Sequence, residues 1–207
     1  MDPIRIDDIL GRDRYGAQRD VIRRRLVEYK RARRLSVGPH LTFVFEDRVT
    51  VWYQIQEMLW VESITDLDAI RAELTVYNAM LPRADEFSAT LLIEIDDAVQ
   101  VVEVLNRLVG IDECVSMVVD GHGPIPATFE PDRQTAEKVS AVQYVRFPFD
   151  GTMRTAIVAG AALTVDVNHP HYDFRQTLPE GTRMSLAAEL DGPAAMMTAL
   201  RQVRDER

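Results

Sequence analysis

The 207-residue chain is 46% hydrophobic, with 33 acidic against 24 basic residues and a formal charge of −9; only 10 Gly and 10 Pro mark it as globular rather than disordered. No apolar run approaches the ~20 residues that a membrane helix needs, and the acidic start MDPIRIDDILGRD has no apolar core of signal-peptide length. Cys114 is the single cysteine, which excludes an internal disulfide and any thiolate-rich metal site within one chain. The expectation is a cytoplasmic protein with no membrane association and no general affinity for nucleic acid.

The charge is uneven. Arg19 to Arg34 holds eight basic residues against Asp20 and Glu28, a local +6 that leaves −15 for the remainder. An arginine-rich helix of this kind suits an acidic partner or a phosphate backbone. It equally suits a solvated helix lying against the protein's own acidic body.

In chain order, Asp7 or Asp8 can cap a short helix around Ile9. Val21, Ile22, Leu26, Val27 and Tyr29 form an apolar stripe through the arginine-rich helix, which stops before Gly38-Pro39. Leu41, Phe43 and Phe45, then Val49, Val51 and Tyr53, alternate as a β-hairpin reversing at Asp47-Arg48. That register sets Phe43 opposite Trp52 and His40 opposite Ile55. Strand passes to helix near Gln54, and a further helix runs from Asp66 to Leu81, ending at Pro82.

The second half repeats itself. Ser88 to Ile95 is a strand, a helix capped by Asp96 or Asp97 runs through Leu108 to Gly110, and Cys114 to Val119 is a strand ending near His122. Ser140 to Phe147, a helix from Asp150 to Gly160, and Ala162 to Val167 ending at Asn168-His169 repeat the order. The pattern predicts an α+β protein, specifically a ferredoxin-like split βαβ pair with two helices on one face of a four-stranded antiparallel sheet. The proline-rich connection 123–133 is long enough for a lid or an extra edge strand. The division expected is 1–86 for the N-terminal helices and hairpin, 87–192 for the duplicated βαβ region, and 193–207 for a tail, all in one compact unit.

Histidines and carboxylates supply the candidate chemistry. His40, at a strand start after Gly-Pro, can bind a metal or order its loop. Glu57 can be a ligand or general base, or it can pair with Arg48 or the basic helix. Glu46, Asp47 and Arg48 read as solvated turn residues. His122 sits in a Gly-His-Gly-Pro loop, and His169-Pro170-His171 is the densest histidine cluster. A split βαβ pair would send His122 and His169 to opposite ends of the sheet. Nothing resembles a phosphate loop, a dinucleotide fingerprint, a nucleophile elbow or an HExxH helix.

Several blocks resemble one family. Gly38-Pro39-His40, Phe45-Glu46-Asp47-Arg48, Tyr53-Gln54-Ile55-Gln56-Glu57-Met58-Leu59, Tyr77-Asn78, Ser140-Ala141-Val142 with Arg146-Phe147, and His169-Pro170 with Tyr172 are similar to the bacterial family known as domain of unknown function 3501, over roughly residues 4–190. That family has no established activity. Its members tend to be encoded beside rubrerythrin-like and iron–sulfur oxidoreductase proteins, which implies iron or peroxide metabolism. This chain departs from the family pattern at Gln143, where a histidine is usual, and at Asn168, where an aspartate is usual.

The functional expectation is a metal-binding, redox-associated protein or enzyme using some of His40, Glu57, His122 and His169. Iron is favoured over zinc or copper, no nucleotide cofactor is indicated, and a homodimer with a redox-protein partner is expected. The alternative is a non-catalytic partner or assembly protein that docks through its sheet face, its acidic body or the arginine helix.

Overall fold

A computed structural model describes residues 1–97, 99–131, 134, 135, 138–190 and 192–204, with the backbone alone at 134, 135, 138 and 193–197. A 3-10 turn at Ile6–Asp8 precedes α1 (Arg12–Arg31), β1 (Arg34–Val37), β2 (Leu41–Glu46), α2 (Arg48–Val61), α3 (Leu67–Asn78) and β3 (Glu86–Ile93). Then follow α4 (Val101–Arg107), β4 (Val115–Val119), β5 (Pro124–Pro126), β6 (Thr128–Phe129), β7 (Gln134–Thr135), β8 (Lys138–Val139) and β9 (Val142–Pro148). The chain finishes with α5 (Gly151–Val158), β10 (Leu163–His169), β11 (Tyr172–Thr177), α6 (Glu180–Leu190) and α7 (Pro193–Arg204). This is a mixed α+β fold.

The expected hairpin at 41–53 is not formed, because its second half is α2. Asp47 turns the chain: its Oδ1 accepts from the amides of Val49 and Thr50, at 2.8 and 2.9 Å, while Thr50 Oγ1 accepts from the Asp47 amide at 2.9 Å. This reciprocal cap starts a helix where alternation alone suggested a strand. Val49, Thr50, Val51 and Trp52 are all buried, so no two-faced pattern survives to distinguish the periods. The hairpin that does form joins β1 to β2 across Gly38-Pro39-His40, pairing Val37 with Leu41 and Leu35 with Phe43. Arg34 to Val37 therefore leaves the predicted arginine helix, which ends at Arg31.

The duplicated strand–helix–strand unit is present, but its four strands do not share a sheet. β3 pairs with β9 in a five-stranded sheet of order β1-β2-β3-β9-β6, and β4 pairs with β10 in a four-stranded sheet of order β11-β10-β4-β5. Each unit thus crosses from one sheet to the other, which corrects the single ferredoxin-like sheet. The burial pattern explains it. β2 is buried on both faces and β3 nearly so, which requires a layer on each side of the five-stranded sheet.

On one side lies a core shared by the two sheets, with Phe43, Phe45, Phe87 and Phe147 of one meeting Met117, Val119, Val165 and Val167 of the other. On the opposite side α1, α2, α3 and α7 bury Ile22, Trp52, Ile55, Leu74 and Leu200 in a separate cluster. The proline-rich connection does supply edge strands. β5 borders the four-stranded sheet and β6 the five-stranded one, with only Ala127 between them. Strand β11 and helix α6 lie beyond the elements read from the sequence.

β1 lies against β11, and one tyrosine fixes the contact. The Tyr172 hydroxyl donates to Val37 O at 2.6 Å and accepts from the amides of His40 and Leu41, at 2.9 and 3.1 Å. Gly38 sits beneath it at φ +66°, where a Cβ would stand 2.6 Å from that hydroxyl and 2.7 Å from the Phe174 ring. Only glycine satisfies both the backbone and the space. Tyr172→Phe strands these backbone groups, and each unsatisfied buried group costs ~1–3 kcal/mol. A loss of about 2 kcal/mol or more is expected in urea unfolding, and Gly38→Ala should also destabilise.

Candidate functional site

The Glu46-Asp47-Arg48 block is buried throughout, which overturns its reading as a solvated turn. Glu46 accepts from Thr90 Oγ1 at 2.6 Å and from Gln54 Nε2 at 3.0 Å. Arg48 holds the N-terminal segment, donating to Asp2 O and Pro3 O at 2.5 and 2.8 Å and to Asp8 at 2.6 Å. Asp47 is the centre of a buried charge network. Besides capping α2, it accepts from the Tyr29 hydroxyl and pairs at 3.2 Å with Arg33, whose side chain is 0% exposed.

Arg33 also donates to Phe45 O at 2.8 Å, to Ser185 Oγ at 3.1 Å and to Glu189 on α6. One cation therefore faces two carboxylates. Burial pushes the Glu189 carboxyl up to about 7, although Arg33 works in the other direction. Burial and Asp47 together raise the Tyr29 hydroxyl well above the usual phenol range.

The four expected metal ligands are dispersed. Glu57 accepts from the Tyr15 hydroxyl at 2.5 Å and from Arg19 Nε and Nη2 at 2.8 and 2.6 Å, an ion pair with the basic helix. Burial opposes ionisation of Glu57, but the hydrogen bonds from Arg19 and Tyr15 outweigh it and hold the carboxyl below its ordinary range. His169 is buried at the end of β10. Its Nδ1 accepts from the His171 amide at 3.2 Å, which makes Nε2 the protonated nitrogen, donating to Val109 O at 3.0 Å. Both ring nitrogens are thereby engaged.

His122 follows β4, whose end pairs with the start of β10, so His122 and His169 lie at opposite ends of the four-stranded sheet. His40, at the β1–β2 turn, lines a pocket of about 250 Å³ together with Arg107, His171 and Phe174. Among the described residues no three His, Cys, Asp or Glu side chains gather as a metal centre. His40, Glu57, His122 and His169, some of which were expected to share a site, stand in separate parts of the fold.

A groove is assembled elsewhere. α1 and α2 stack beside each other on the outer side of the five-stranded sheet, and α3 packs on α2. The β9 and β6 side of that sheet carries a groove of about 510 Å³. Its floor is a cross-strand row in which Arg146 is the register partner of both Ser88 and Thr128. Tyr144 lies two residues along β9 from Arg146, and Tyr77 at the end of α3 and Phe129 of β6 are also on the lining.

Arg146 pairs with Glu86 and donates to Ala79 O and, at 3.4 Å, to Leu81 O, so it locks the end of α3 to the floor. Burial first, then Glu73 and Tyr144, raise the Tyr77 hydroxyl above the usual phenol range. Arg83 and Glu86 also border a second cavity, about 290 Å³, which reaches Arg154 and Glu189. Tyr77 and Arg146 belong to the blocks that carried the family resemblance. Arg33 and Glu189 had no signal, one lost in a run of arginines and the other in an ordinary helix end.

A two-sheet α+β scaffold with a groove of mixed polar and apolar lining on one sheet defines the class. The family described as Protein of unknown function (DUF3501) matches residues 3–190, and the chain belongs to it. A crystal structure of a novel protein of unknown function from Burkholderia pseudomallei K96243 is similar at 38% identity and a TM-score of 0.87, covering 92% of this chain and 100% of that one. No curated protein matches.

Removing Arg33 leaves Asp47 buried without its cation and Glu189 without its donor. Breaking a buried pair in this way costs about 3–5 kcal/mol. Arg33→Met is expected to lose stability on that scale in urea unfolding, whereas a surface change such as Arg31→Met should stay within about 0.5 kcal/mol.

Proposed function

We propose that this protein binds a small, planar, polar molecule in the groove between the end of α3 and strands β9 and β6. One observation carries the reading: this stretch of sheet sets Ser88, Thr128, Tyr144 and Arg146 around an open space whose other walls include Val76, Met80 and Phe129. The volume of about 510 Å³ falls within the ~300–1,000 Å³ of ordinary ligand sites. Tyr77, Phe129 and Tyr144 offer ring faces, and the hydroxyls of Ser88 and Thr128 offer hydrogen bonds. Glu86, held by Arg146, keeps the floor rigid before anything binds, which lowers the cost of ordering the site.

A metal-dependent redox role is the second reading, favoured by His40 and His171 lining one pocket. Those two imidazoles fit a metal only with donors from another source, because His169 has both nitrogens occupied and Glu57 is committed to Arg19. Metal analysis of untagged protein, with His40→Ala as comparison, tests it. Docking or homodimerisation through the five-stranded sheet's face is less favoured, since one face is the shared core and the helices occupy much of the other.

The groove reading is tested by thermal-shift screening of a metabolite collection against the wild type and Thr128→Trp, which fills the groove from its exposed edge. Compounds that raise the wild-type midpoint by several degrees should lose that effect in Thr128→Trp. Hits that stabilise both proteins equally, or a screen with no hits, would overturn it.

A further inference from the structure

The second cavity places a carboxylate where its charge is poorly matched. Glu189 is buried at the end of α6, and Arg33 donates to it and to Ser185 of the same helix. Arg33 must also serve Asp47, which has Tyr29 and two backbone amides besides. The other charged groups around the cavity are committed or offset. Arg154 of α5 donates to Ala84 O and Leu190 O, at 3.0 and 2.5 Å, and the Met1 amine, whose charge works with Arg33 against the effect of burial on Glu189, donates to Pro82 O at 3.0 Å. Arg83 lies near Glu86, and Asp2 is also on the lining. Of the two carboxylates on Arg33, Glu189 has the fewer donors.

We propose that Glu189 is a proton-operated anchor, which holds the end of α6 and the following α7 against Arg33 when protonated and loosens that segment when ionised. A protonated Glu189 still accepts from Arg33 through its carbonyl oxygen, and Asp47 alone neutralises the guanidinium. Ionised, the carboxylate meets both burial and Asp47, and it regains hydration only when α6 lifts away. The cavity behind it shares Arg83 and Glu86 with the groove, so lifting α6 widens the space at the groove's end. The direction of titration agrees: burial raises Glu189 to about 7.

The sign follows from linkage. The folded state holds this proton to a higher pH than the open state. The stabilisation is therefore complete at low pH and is lost as pH rises from the ordinary carboxylate range toward about 7. Hydrogen exchange of the full chain, corrected for intrinsic rates, reads this in peptides covering 180–204 between pH 5 and 8. The opening equilibrium should rise by as much as roughly tenfold per pH unit below 7 and then level off. Glu189→Gln should remove the rise while keeping the hydrogen bond from Arg33. Carboxyl NMR titration of the wild type gives an independent measure that needs no variant. A flat exchange profile, a rise that survives in Glu189→Gln, or a Glu189 midpoint in the ordinary carboxylate range would overturn the proposal.

Discussion

Asp47 stands where three pieces of the chain have to agree. It ends β2, starts α2 by capping it, and receives the buried Arg33 that follows α1. Arg33 in turn reaches forward to β2 through Phe45 O and across the molecule to Glu189 on α6. A charge so far from water is tolerated only if its donors are spent on fixed acceptors, and here those acceptors are shared among β2, the β2–α2 corner and α6. The network thus specifies how α1, the β2–α2 corner and α6 meet. It adds specificity more than net stability, because desolvation consumes much of the electrostatic gain.

The groove follows from the same arrangement. A sheet buried on both faces needs a layer on each side, and here the second layer is helical and incomplete. α1 and α2 take the side toward β2, while α3 stops at Asn78 near β9 and β6. What the helices leave is floored by polar residues, because apolar ones there would form an exposed patch. Arg146 then acts as a strut between the floor and the end of α3.

Much of this was legible in the residues. The α+β class, the internal repeat and the helices that start at Asp66 and Asp150 are all visible there, since helix starts and one-sided apolar patterns are local signals. The hairpin at 41–53 misled because Val49, Val51 and Tyr53 alternate by chance within a helix that is buried on several sides. The division of the repeat into two sheets was beyond a local reading, since a strand's partner depends on which faces other segments cover. For the site, the pairing of Glu57 with the basic helix follows from an acid facing a run of arginines, whereas the burial of Glu46 to Arg48 has no local signal. Charged residues look alike in sequence whether they are solvated or neutralised by distant partners, as Arg33 is by Glu189, 156 residues on.

The tie between Tyr172 and the β1–β2 turn has a consequence for the order of events during synthesis. His40 and Tyr172 are separated by 132 residues. At about 5–20 residues per second, a ribosome takes on the order of ten seconds to cross that interval. Through that time the turn around Gly38 lacks its tyrosine, and the side of β1 that β11 later packs against is uncovered. The nascent N-terminal half then offers that uncovered side of β1 to chaperones or to intermolecular contacts until Tyr172, in the last fifth of the chain, arrives.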